Sequence, residues 1–250
     1  MINPPIKVCA LIPARLQASR FPGKLLMPLG NRSILQTVYD QVKKCKTIHR
    51  VAVVADHDDI IQHVHSWGGE AFLSQKEHNS GTDRIAETAG HLEGYDFLVN
   101  VQGDEPFIQP GDIDELVKTC CERSANIGTL VTPVTDQKTY SNINAVKVVL
   151  DNNGHALYFS RAMVPIWRDH PGQIPHHSVF RHIGLYVFKR ECLMRITQWP
   201  ESPLESLEKL EQLRWLQGGE KIITCKIAES AIGIDTPEDY EMALRKLSLE

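Results

Sequence analysis

Lys7-Val8-Cys9-Ala10-Leu11-Ile12 runs directly into Pro13-Ala14-Arg15-Leu16-Gln17-Ala18-Ser19-Arg20-Phe21-Pro22-Gly23-Lys24. An apolar run without polar alternation reads as a strand covered on both faces, here ended by Pro13. Downstream, Ser33 to Cys45 places Ile34, Leu35, Val38 and Val42 on one helical face behind Ser33 as N-cap. The alternation then repeats. Val51 to Ala55 reads as a strand, Asp58 to Trp67 as a helix stopped at Gly68-Gly69, and Phe72 as part of a short strand. Thr82 to Leu92 follows as a helix, Phe97 to Gln102 as a strand and Asp112 to Arg123 as a helix. This order predicts an α/β fold with a mostly parallel, doubly wound sheet.

Beyond Arg123 the pattern changes. Gly128 to Pro133, Ala145 to Leu150 and Phe180 to Phe188 read as antiparallel strands, with Asn152-Asn153-Gly154 as a turn. Helices follow at Arg190 to Ile196 and Leu204 to Gln217, then a strand at Lys221 to Ile227. Thr236-Pro237-Glu238-Asp239 opens a last helix with a cap, a proline at its first position and early carboxylates. The reading is one domain, residues 1–250, with a core over about 7–132 and 221–250 and an inserted antiparallel lobe over about 133–220.

The 250 residues are 42% hydrophobic and 23% charged, values of an ordinary globular chain. With 27 basic and 31 acidic residues the formal charge is −4, which lacks the basic excess of a nucleic-acid surface. No apolar run nears the roughly 18 residues of a membrane span, and Met1 to Pro5 lacks a secretory leader's features, so neither membrane nor export is expected and the cytoplasm is. Six scattered cysteines without a C-x-x-C pair suit a reducing compartment, and the eleven histidines form no zinc pattern.

Three segments carry chemistry. The Pro13–Lys24 loop brings Arg15, Arg20 and Lys24 to a strand's carboxyl end, where doubly wound sheets bind ligands; three cations there suit a triphosphate. It is neither a Walker A loop nor G-x-G-x-x-G. Val99-Asn100-Val101-Gln102-Gly103-Asp104-Glu105-Pro106 ends a strand in carboxylates, and Gly103 permits close backbone approach. Asp104 is a natural Mg²⁺ ligand there, and Asp235 ends a run due at the same face; each alone is equally a turn former. Ser80-Gly81-Thr82-Asp83-Arg84 reads as a base-contacting turn or as a helix start capped by Thr82. Glu205, Glu208, Glu211 and Arg214 read as a solvated helix face.

The ordered set of Pro13 to Lys24, Val101 to Pro106, Asn144-Ala145-Val146-Lys147-Val148-Val149, Ala156 to Ala162, Leu210-Glu211-Gln212-Leu213-Arg214 and Asp235 to Asp239 resembles the 3-deoxy-manno-octulosonate (Kdo) cytidylyltransferases, the CMP-Kdo synthetases. The likeness spans about residues 7–245. It implies a glycosyltransferase-A-like nucleotidyltransferase that joins CTP and Kdo into CMP-Kdo for lipopolysaccharide biosynthesis, releases pyrophosphate, uses Mg²⁺ and forms a homodimer. By this resemblance Arg15 and Lys24 hold the phosphates, while Ala14, Ser80, Gly81 and Thr82 face the cytosine. Asp104 and Asp235 bind the metal, and Gln102, Arg161, His182, Glu211 and Gln212 contact Kdo. The catalytic set is then Arg15, Lys24, Asp104 and Asp235. Leu16-Gln17 and Leu25 depart from the family's usual residues without removing a charge. The alternatives are 8-amino-Kdo or an N-acylneuraminate as the sugar, or a non-catalytic nucleotide-binding relative.

Overall fold

The computed structural model describes residues 6–17, 21–78, 80–175, 178–228 and 233–247. The apolar run that opens the chain becomes β1 (Val8–Ala14), and a hairpin of β2 (Pro28–Leu29) and β3 (Arg32–Ser33) leads into α1 (Ile34–Val42). There follow β4 (Arg50–Ala55), α2 (Asp58–Ser66), β5 (Ala71–Leu73), α3 (Gly81–His91), β6 (Phe97–Asn100) and α4 (Pro110–Glu122). Next come β7 (Ile127–Pro133), α5 (Gln137–Ser141), β8 (Lys147–Leu150), β9 (Ala156–Ser160) and β10 (Phe180–Lys189). The order closes with α6 (Arg190–Ile196), α7 (Pro203–Glu208), α8 (Gln212–Gln217), β11 (Ile222–Lys226) and α9 (Pro237–Leu247).

The chain divides into two compact units, residues 1–114 with 231–250, and residues 115–230. In the first, β6, β1, β4 and β5 pair in that order, all parallel. Cys9 to Ile12 are wholly buried, and because successive strand side chains face opposite sides, β1 is covered on both faces. The apolar stripe of α1 is equally buried, and the Ser33 hydroxyl accepts from the Gln36 N–H at 3.1 Å, the cap expected there.

In the second unit, β7 pairs in parallel with β11 and antiparallel with β10, whose other edge takes β8 and then β9 antiparallel. Trp215 and Phe188 are buried here with ring centroids 5.2 Å apart.

Four local expectations need correction. Pro13 does not end its strand: Leu11 O bonds toward β6 and Ala14 O toward Asp56 N beyond β4, so the missing N–H of Pro13 falls on the β6 side, past that ladder's last pair, Leu11 with Asn100. The cap of α3 is Ser80, whose hydroxyl accepts from the Asp83 N–H at 3.0 Å. Thr82 is buried instead and accepts from Asn100 Nδ2 at 3.2 Å. The long polar stretch after Pro133 holds the short helix α5, capped by Asp136. Finally, the helix expected over 204–217 is two helices, because Lys209 adopts left-handed backbone at φ 52° and closes α7.

Candidate active site

Two strand ends and two turns build a cleft of about 290 Å³ in the first unit, lined in part by Pro13, Arg15, Lys24, Gly81, Arg84 and Gln102 and floored by Gly103 with Asp104 and Asp235. Past β1 the chain returns through Gly23, at φ 70°, whose N–H donates to Leu16 O at 3.0 Å. Only glycine adopts that backbone without strain, and it turns the chain so that Lys24 points inward. At the end of β6, a Cβ on Gly103 would stand 3.3 Å from Pro13 O, so a side chain there would crowd two strand ends that approach closely. Ile234 N donates to Asp104 O at 2.9 Å and draws the 233–235 segment alongside. The Thr236 hydroxyl accepts from Asp239 N while the Asp239 carboxylate accepts from Thr236 N, a reciprocal cap that sets Asp235 at the mouth of α9.

These constraints converge on Lys24. Its ammonium, on a side chain 8% exposed, donates to Asp104 Oδ2 at 2.6 Å, to Asp235 Oδ1 at 2.9 Å and to Ile234 O at 2.7 Å. All three of its N–H donors are used. Burial alone would lower its pKa, but Asp104 and then Asp235 outweigh that and hold it above the ordinary lysine value. Asp104 and Asp235, far apart in sequence, thus meet on the one ammonium of Lys24. Three oxygens aimed at one positive centre, two of them carboxylate, form the hard all-oxygen donor set that Mg²⁺ takes, commonly with only one or two protein carboxylates.

Arg15 is exposed at the rim, and Ala14, Ser80, Gly81 and Thr82 lie at the end of β1 and the start of α3. Arg20 lies outside the described residues. Arg84 is a lining residue that the pattern of the sequence did not single out; its only signal was its place in the Ser80–Arg84 turn.

The remaining expected residues belong to the second unit. His182 packs between Phe159 and Tyr186, with ring centroids at 5.0 and 5.3 Å, and its Nε2 lies 3.0 Å from the Thr129 hydroxyl. Burial, helped by Arg181, pushes its pKa down to about 3, so the imidazole is neutral near pH 7. Tyr186 is buried, its hydroxyl has no bond among the described residues, and Glu211 is close enough to raise its pKa further after burial. Gln212 is also buried and its Nε2 has no bond among the described residues. Tyr186 and Gln212 thus each keep a buried donor without a bond among the described residues; Tyr186, which packs against His182 and lies near Glu211, the sequence neighbour of Gln212, is the unforeseen member of this polar set.

Arg161 is held differently. Its guanidinium donates to the carbonyls of Glu208 (2.6 Å), Ile143 (3.1 Å) and Lys209 (3.3 Å), leaving one N–H on each Nη. Glu208 is no solvated helix face: it accepts from the Ser160 hydroxyl and the Arg161 N–H. Glu205 and Arg214, 12% and 11% exposed, pair with each other at 3.1 Å. Nor is Glu211 solvated, because its Oε2 is buried.

The family profile described as "Cytidylyltransferase" matches residues 9–222. The chain is 40% identical to the 3-deoxy-manno-octulosonate cytidylyltransferase of Geobacter sulfurreducens, over 97% of this chain and all of that one. It is 42% identical to that of Acaryochloris marina, over 95% and 96%. Among solved structures, a CMP:2-keto-3-deoxy-manno-octonic acid synthetase complexed with CTP superposes with a TM-score of 0.91 at 33% identity, over 97% of this chain and 99% of that one. At 15% identity and a TM-score of 0.64, 4-diphosphocytidyl-2C-methyl-D-erythritol synthase from Anaerococcus prevotii shares the fold. A nucleotide-sized cleft with converging carboxylates, a nucleotidyltransferase fold and end-to-end likeness at about 40% identity make this chain a member of the 3-deoxy-manno-octulosonate cytidylyltransferase family.

Proposed function

We propose that the protein transfers CMP from CTP to Kdo, giving CMP-Kdo and pyrophosphate. The observation that carries this reading is the meeting of Asp104, Asp235 and Lys24 on one point of a cleft rimmed by Arg15, in a chain of this family. Arg15 and Lys24 hold phosphate oxygens, with the lysine trading its carboxylate partners for the nucleotide. The Ser80–Thr82 turn and Ala14 face the cytosine. Asp104 and Asp235 would hold Mg²⁺, which would lower the pKa of an attacking hydroxyl and balance phosphate charge. The sugar hydroxyl attacks the α-phosphorus in line and pyrophosphate leaves, with no side-chain nucleophile needed. For the sugar we assign, within the second unit, neutral His182, Glu211, Gln212 and Arg161, with Tyr186 added to them, and, within the first unit, Gln102.

We place the reaction in the cytoplasm and the protein in a homodimer. Among the described residues no helix is long and apolar enough to cross a membrane. The deciding experiment is Mg²⁺-dependent pyrophosphate release from CTP with Kdo, 8-amino-Kdo, N-acetylneuraminate or no sugar. Release with Kdo alone is expected; release with another sugar only reassigns the acceptor, and no release with any sugar leaves the nucleotide-binding alternative.

A further inference from the structure

The cleft contains a charge that the proposed chemistry leaves unused. Arg84 lies in the first turn of α3 and lines the cleft with Pro13, Arg15 and Gly81. It is only 3% exposed, yet its buried Nη1 has no hydrogen-bond partner among the described residues. Its acidic neighbour is Asp56, whose Oδ2 stands 3.7 Å from Nη2, beyond hydrogen-bond range. The other oxygen of Asp56 already accepts from the Leu16 N–H at 2.9 Å. Burial presses the Arg84 pKa below its ordinary value; Asp56 and Glu87 oppose this, and the second guanidinium, Arg15, adds to it.

A desolvated guanidinium with an open donor is costly, because the buried group has given up water without gaining a bond, and its charge makes that loss larger. A second cation nearby adds to that cost. A neutral acceptor such as a base carbonyl would fill the donor but leave the two cations opposed. An oxyanion answers both needs. We propose that Arg84 is a phosphate-binding residue, its cleft-lining guanidinium donating to a phosphate oxygen of the nucleotide. This rests on reading the cleft as the CTP site, and it adds to that reading a buried anchor beyond Arg15 and Lys24.

The test is calorimetric titration of the full-length protein with CTP and with tripolyphosphate, which has the phosphates but no base. In Arg84→Gln the Kd of both ligands is expected to rise by about 10-fold or more, the loss of one charge-assisted bond. In Arg84→Lys, which keeps charge but not the fork, both should weaken in step and by less. Weakened CTP binding with unchanged tripolyphosphate binding would move Arg84 to the base, and unchanged binding of both would make it structural; either overturns the proposal. Should the variants fail to fold, the Arg84 guanidinium resonances of the wild-type protein decide, since they must shift on adding tripolyphosphate and an absent shift overturns the proposal. Wild-type protein that binds neither ligand sinks the CTP reading itself, and this inference with it.

Discussion

Lys24 is the residue on which the first unit's chemistry turns, since its ammonium neutralises two carboxylates that would otherwise repel each other. If Asp104 and Asp235 serve one metal, Asp104→Asn keeps the shape and removes the charge, so kcat should fall about 10²–10³-fold with CTP binding less affected. Asp235→Asn should lose a similar factor, and the double variant should fall well short of the product of the two. Near-normal turnover at saturating Mg²⁺, or multiplicative losses, would separate the two carboxylates in function. His182 supports a prediction on pH. Its folded pKa, about 3, lies below the ordinary value of 6.5, so as pH falls the unfolded chain takes up this proton first. Its contribution to stability is therefore complete above pH 6.5 and is lost progressively down to about pH 3. Urea unfolding between pH 7 and 4 should show a shallower loss of stability in His182→Gln than in the wild type. Equal slopes would mean that the folded imidazole titrates normally.

At the scale of elements, the break between α7 and α8 divides the helix expected over 204–217. Ser202 and Glu205 form a capping box at the start of α7, and Lys209 ends it in left-handed backbone. An L-residue pays about 1–2 kcal/mol for that conformation, part of which glycine recovers. Lys209→Gly should raise the unfolding free energy by about 0.5–1 kcal/mol relative to Lys209→Ala, measured in urea. A less stable glycine variant would remove strain as the reason for the break. The strand side of this region is fixed by Lys147, which is fully buried and donates to the carbonyls of Asn142, Ala145 and Arg161 at 2.7–2.8 Å. Burial lowers its pKa, and carbonyls rather than a carboxylate fill its donors.

For the whole molecule, the proposed homodimer can be tested on apolar side chains that the chain leaves uncovered. Ile143, Leu157, Ile166 and Leu207, all in the second unit, are exposed by 60–80%. Single exposed apolar residues are ordinary, so the oligomeric state must be measured rather than read from them. Sedimentation velocity should give a species of twice 28.2 kDa, shifted toward monomer by Ile166→Asp or Leu207→Asp. A boundary at the monomer mass at every concentration would remove the dimer.

Features that depend on near neighbours were legible in the sequence: apolar runs made β1, β4 and β6 covered strands, Ser33 capped α1, and the loop after β1 carried the Arg15 and Lys24 that line the cleft. Asp104 and Asp235 were legible because each ends a run expected at the same sheet face. Tertiary structure alone decided the partners. Lys24 meets Asp104 across 80 positions and Asp235 across 211, and no local pattern specifies that one ammonium satisfies both. Likewise Arg84 looks like any first-turn arginine until burial leaves its Nη1 without a partner among the described residues, and Glu208 and Glu211 look solvated until Ser160 and Arg161 meet the one and packing buries an oxygen of the other. Burial and desolvation depend on what the rest of the chain brings alongside, and periodicity records only which side of an element faces inward.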